Sequence, residues 1–141
     1  MKTLRLIGLS LALFSLGSLS AFADSARVKS AKPEHIAHGA RVKITDYVVP
    51  GKTTIIDFTS QYCPPCRAVA PRLEKLHESR DDIVVVSVDI NRPNVKGIDW
   101  DSPVAQQYGL QSVPNFKVYD PKGKLIAEGK PASQLVYSWL E

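Results

Sequence analysis

Cys63 and Cys66 are the only two cysteines among 141 residues, and they stand in the stretch Gln61-Tyr-Cys-Pro-Pro-Cys-Arg67. A structural disulfide stabilises chiefly by closing a long loop, and a bond between these two would close almost none. Their spacing therefore points to chemistry. A structural zinc site needs four ligands, usually a second close cysteine pair or a histidine pair. This chain has no third cysteine, and His77 falls about three helical turns beyond Cys66. Covalent haem attachment needs a histidine directly after the second cysteine, where Arg67 stands. Thiol–disulfide exchange is the reading that remains, with no metal and no organic cofactor. A binding or chaperone module whose cysteines are incidental or hold copper or zinc is the rival from another class, separable by metal titration.

The neighbouring elements decide what such a pair can do. Thr53–Phe58 ("TTIIDF") is a β-rich run, and Pro64–Ser79 carries Ala68, Val69, Leu73 and Leu76 on a helical period, with Pro71 inside it. A strand running straight into a helix leaves the cysteines at the helix N-terminus. Free N–H groups and the helix dipole there stabilise a thiolate. Cys63 is expected as the N-cap and exposed nucleophile, and Cys66, one turn further in, as the buried resolving thiol. Proline suits the first helical positions, whose N–H groups have no intrahelical partner. Pro65 nevertheless removes one N–H that would otherwise reach the cap, leaving chiefly that of Cys66. The thiolate should be only moderately stabilised, which makes for a more reducing disulfide and favours a reductant over a strong oxidant. Asp57 lies inside the apolar strand, so it reads as a buried acid with a raised pKa, available as a base.

The rest of the chain builds one α/β domain over residues 39–141. Arg41–Thr45 alternates and reads as a half-buried strand, and Ile83–Val88 as a strand buried on both faces. A loop spans 91–101, a short helix is expected at about Pro103–Tyr108, and Asn115–Tyr119 and Lys124–Ala127 flank a turn at "DPKG". Ser133 can cap a last helix. The order implies a mixed central sheet with helices on both faces. Residues 24–38 read as a flexible N-terminal segment. His35 and His38 within it are read as exposed or locally bonded histidines, with no metal role.

Before that segment, Lys2 and Arg5, an uncharged apolar run from Leu6 to Leu19, and Ala21-Phe22-Ala23 form the pattern of a secretory signal peptide cleaved after Ala23. The run is shorter than the roughly 20 residues of a comfortable membrane span. The expectation is an exported, periplasmic protein, in a compartment where close cysteines tend to be oxidised. Removing Lys2 and Arg5 from 18 basic side chains leaves 16 against 14 acidic ones. No basic block with interleaved aromatics is present, so nucleic acid is not an expected partner.

Two longer segments carry a family resemblance. "TTIIDFTSQYCPPCRAVAPRLEKL" resembles the active-site strand and helix of the thioredoxin family, and "QYGLQSVPNFKVYDPKGKLIAEG" its later half; together they cover most of residues 53–129. The resemblance implies a thioredoxin-like fold and a redox-active Cys63–Cys66 disulfide, Cys63 attacking and Cys66 resolving. It makes Asp57 the buried aspartate that assists the resolving thiol. Pro114 becomes the cis-proline beside the disulfide, and Val113 the residue whose backbone pairs with a substrate chain. It further implies protein thiol and disulfide substrates, a monomer, and a membrane thiol transporter as electron donor for an exported member. Departures from the family pattern are Tyr62 in place of tryptophan, Pro64-Pro65 in place of Gly-Pro, and Thr59 in place of a second tryptophan. Ser87 stands where a lysine is frequent, the first helix shrinks to "TDYVVPG", and the loop 91–101, with Trp100, is longer. Trp100 is read as packing across that loop. An oxidase of the same fold is the remaining alternative, disfavoured by the prolines and by the lack of room for a helical insertion in residues 24–141.

Overall fold

The computed structural model of the protein describes residues 26–141; the expected signal peptide, 1–23, lies outside the described residues. Five strands, β1 (Glu34–Ile36), β2 (Thr53–Thr59), β3 (Ile83–Asp89), β4 (Asn115–Tyr119) and β5 (Leu125–Glu128), form one sheet in the order β1-β3-β2-β4-β5. β1, β3 and β2 run parallel, whereas β4 and β5 are antiparallel to their neighbours, as the mixed-sheet expectation requires. Helices α1 (Pro64–Ser79), α2 (Pro103–Gln107) and α3 (Gly129–Trp139) complete the fold.

Strand alternation sorts the core into two layers. Ile56, Phe58, Val84, Val86 and Val88 pack with α2 residues Val104 and Ala105 on one face. Ile55, Ile83 and Val85 face the other side, against Val69, Leu73 and Leu76 of α1 and Ala132 and Val136 of α3. The run Ile83–Val88 is thus buried on both faces because its successive side chains serve opposite layers. Helices cover both sides of the sheet, as expected.

The alternating segment Arg41–Thr45 is not a strand. Its backbone is occupied elsewhere: Val42 N–H donates to Gln107 Oε1 at 3.0 Å, and Val42 O accepts from Tyr108 Oη–H at 2.6 Å. The chain then turns into a 3-10 helix, Ile44–Tyr47, with Ile44 buried. The sheet edge is taken instead by β1, whose Glu34, His35 and Ile36 pair with Val86, Ser87 and Val88. The segment expected to be loose is therefore fastened. Lys29 Nζ donates to Arg80 O at 2.7 Å, and the ring of buried His77 bridges Ser30 O (2.9 Å) and Val85 N (3.0 Å). Because Val85 N–H must donate to Nδ1, Nε2 carries the proton and donates to Ser30 O. The sheet thus begins before Gly39.

Ser133 does not cap α3. It lies one turn inside, donating to Gly129 O at 3.1 Å, because β5 runs directly into the helix through Gly129 at φ +60°. The loop 91–101 is pinned by a two-pronged Arg92–Asp99 pair (2.7 and 2.9 Å), and Trp100 packs against the α2-side core.

Candidate active site

β2 delivers the chain to a short turn, Ser60-Gln61-Tyr62, from which α1 starts. Cys63 is the N-cap residue in extended conformation (φ −101°, ψ 109°), with Pro64 and Pro65 as the first two helical residues. Its sulfur accepts from Cys66 N–H at 3.2 Å, the donor that remains when Pro65 has none. Cys63 and Cys66 are joined in a disulfide.

The two sulfurs do not differ in exposure as expected. Cys63 is 2 % exposed and Cys66 1 %. The segment before β4 accounts for this: Val113 O lies 3.5 Å from Cys63 Sγ, and the Val113–Pro114 peptide is cis. In the dithiol the same geometry lets the Cys63 thiol donate to that carbonyl. Val113 also packs against the α2-side core, which fixes its backbone beside the disulfide. Tyr62, 40 % exposed, stands on the open side.

Asp57, on β2, is 2 % exposed, and its Oδ1 has no hydrogen-bond partner. Burial away from water raises its pKa to about 7. A lone carboxyl in such a place can exist as acid or base near neutral pH, as a proton acceptor for a thiol must. Asp57 and Cys66 line one cavity of about 220 Å³, together with Ser87, Arg67 and His35. The fold therefore gathers Cys63, Cys66, Asp57, Val113 and Pro114 at one place, with Tyr62 at its rim. Among the described residues, no three metal-ligating side chains come together.

A family model described as Thioredoxin matches residues 42–138. The chain belongs to the thioredoxin family. Thioredoxin of Streptomyces clavuligerus is 31 % identical over 93 residues, covering 64 % of this chain and 79 % of that protein. Thioredoxin F1, a chloroplastic protein of Arabidopsis thaliana, is 34 % identical over 67 residues, 48 % of this chain and 34 % of that one. The chain thus spans about a third of the length of such chloroplastic relatives. The crystal structure of thioredoxin f from spinach chloroplast (short form) superposes with a TM-score of 0.55 at 23 % identity, over 80 % of this chain and 95 % of that one, which is a likeness of fold.

Two residues of this thioredoxin-family site escaped the reading of its sequence. Ser60, 1 % exposed, donates to Asn91 Oδ1 at 2.6 Å while its hydroxyl oxygen accepts from Tyr62 N–H at 3.2 Å. Asn91 in turn donates to Gly97 O at 2.6 Å. The long loop 91–101 is thereby tied to the turn that carries the cysteines. The polar pair Ser60 and Asn91 has no periodicity to betray it; only the neighbourhood of the cysteines marked Ser60.

Proposed function

We propose that the protein is an exported thiol–disulfide oxidoreductase that reduces disulfides in other proteins. The observation that carries this reading is the Cys63–Cys66 pair at the start of α1, with the unpaired carboxyl of Asp57 in the cavity beside Cys66. In the dithiol form, the Cys63 thiolate attacks a target disulfide. One target sulfur leaves as a thiolate, and a Cys63–target bond forms. Cys66 then gives its proton to the Asp57 carboxylate and attacks the Cys63 sulfur. The Cys63–target bond breaks, the electron pair leaves on the target sulfur, and the Cys63–Cys66 disulfide remains. The target gains two electrons and the protein loses two.

The donors at Cys63 support the reductive direction. One N–H, that of Cys66, reaches its sulfur, and the two prolines supply none. A sparsely supported thiolate makes a less stable dithiol and a more willing reductant. Export rests on the Met1–Ala23 pattern. Outside the cytoplasm the dithiol must be regenerated, and a membrane thiol transporter is the proposed donor. A protein of similar fold, thioredoxin f2, is known in a complex with ferredoxin:thioredoxin reductase.

The test is the reduction potential of the Cys63–Cys66 couple, by equilibration with glutathione or dithiothreitol. A value near roughly −270 mV is expected, and one near roughly −120 mV would overturn the reductase reading. Export is tested by N-terminal sequencing of the mature protein, which should begin at Asp24; a chain keeping residues 1–23 would refute it.

A further inference from the structure

Three residues on neighbouring strands lie in one register row. His35 of β1 pairs with Ser87 of β3, and Ser87 pairs with Asp57 of β2. Residues paired across parallel strands project from the same face of a sheet. The row two residues earlier on that face, Ile55 and Val85, is buried beneath α1. Polar side chains therefore replace an apolar layer at the one row that ends on the unpartnered carboxyl of Asp57.

The cavity follows the row. His35, Ser87, Asp57 and Cys66 all line the space of about 220 Å³, and His35 and Ser87 also line an adjoining space of about 380 Å³ that opens beside Lys32 and Glu74. The two share the His35 side of the row, and His35 itself is exposed. Strands lie about 4.8 Å apart, so Asp57 and His35, two strands away, are separated by roughly 10 Å of backbone. That is too far for a direct hydrogen bond and suits a path of about two waters. At about 30 Å³ per water, the inner space has room for them, and a stable water needs two to four polar partners. The Asp57 carboxyl, Ser87 hydroxyl and His35 imidazole supply such partners.

We propose that His35 exchanges protons with Asp57 through water held along Ser87, connecting the buried acid at Cys66 with solvent. When Cys66 attacks the mixed disulfide, its proton passes to the Asp57 carboxylate. Near neutral pH part of the Asp57 population already holds a proton and must shed it before it can take the one from Cys66, although only 2 % of the residue is exposed. The proton leaves along the row to the imidazole of His35 and then to solvent; on regeneration of the dithiol it returns the same way. His35 touches neither sulfur and is a positioning residue for the proton, acting through Asp57. His38, the second histidine at this rim, has its Nδ1 3.4 Å from Asp89 Oδ2 and lies off the row. The other charged groups facing His35 are Arg67 and Glu74 from α1, Lys32 from the preceding segment and Asp89 from β3.

The inference rests on the exchange chemistry proposed above, and Ellman's reagent tests the two separately. The reduced protein releases one coloured thiolate when Cys63 attacks and a second when Cys66 resolves the mixed disulfide. With His35→Gln the first release should be unchanged. The second should slow about tenfold between about pH 6 and 8, less than the roughly hundredfold of losing a direct general base. Ser87→Val, which fills the path without removing an ionisable group, should slow the same step. In an Asp57→Asn background, His35→Gln should add nothing. An unaltered second release in His35→Gln, equal slowing of both releases, or additive losses with Asp57→Asn would overturn the relay. A parent protein that gives no second release would instead overturn the proposed exchange function.

Discussion

The backbone N–H of Cys66 donates to the sulfur of Cys63 across 3.2 Å. It does so at a helix start where Pro64 and Pro65 contribute no N–H of their own. Cys63 thus sits in the field of a helix N-terminus with half of the usual capping donors removed.

Restoring one donor should shift the couple. Pro65→Ala returns an N–H to the second helical position and should stabilise the Cys63 thiolate of the reduced form. A charge-assisted hydrogen bond contributes about 1.5 kcal/mol, which corresponds to roughly 30 mV towards a more oxidising couple. Equilibration with glutathione measures it, and no shift, or one towards a more reducing value, contradicts the capping argument.

Asp57 makes stability depend on pH with an unusual sign for an acid. Its pKa rises from 3.8 in the unfolded chain to about 7 in the native state, through burial. Between those values the native state holds a proton that the unfolded state has released. The stabilisation is therefore complete below about pH 4 and lost as pH rises through 7. At about 1.36 kcal/mol per unit, the loss amounts to about 4 kcal/mol. Asp57→Asn removes it, so thermal melting of this variant should exceed the parent's at pH 8 and match it near pH 4. Equal melting temperatures at both values would show that the carboxyl is better solvated than its burial indicates.

Ser87→Lys should act on the same group from the facing strand. Ser87 pairs with Asp57 in the sheet and lines the same cavity, which is large enough for a lysine side chain. An ammonium there favours the ionised carboxyl, so the Asp57 pKa should fall. NMR titration of the Asp57 carboxyl carbon would record it. An unchanged midpoint would place the new ammonium in solvent.

Asn91→Ala should loosen the active-site turn from a position well outside the motif. It removes the acceptor of the buried Ser60 hydroxyl and the donor to Gly97 O. A buried polar group left without its partner costs about 1–3 kcal/mol. Urea unfolding should show that loss, and Asn91→Asp, which keeps an acceptor for Ser60, should recover part of it. If Asp serves no better than Ala, the Ser60 contact is not the stabilising one.

Several elements are legible in the sequence because their causes are local. Helix α1 runs from Pro64 to Ser79 as its apolar spacing and its Cys-Pro-Pro start indicate. β2 and β3 coincide with their β-branched runs within a residue. Arg41–Thr45 misled because alternation states that a strand is possible without supplying a neighbour. Gln107 and Tyr108 bind that backbone first. β1, with three residues and one buried side chain, has too little periodicity to be seen, and its pairing with β3 is what makes it a strand.

By itself the sequence determined the reactive pair, its seat at a helix start, the lack of a donor at Pro65 and the acid six residues earlier. Each of these depends on atoms within a turn or two along the chain. Only the tertiary structure decided how deep Cys63 lies, since Val113 covers it from fifty residues away. It alone decided that Ser60 leans on Asn91, and that His35, Ser87 and Asp57 share one row. Burial, and with it the pKa of Asp57, is a property of what packs around a group. Strand register assembles those surroundings from segments that the linear order keeps apart.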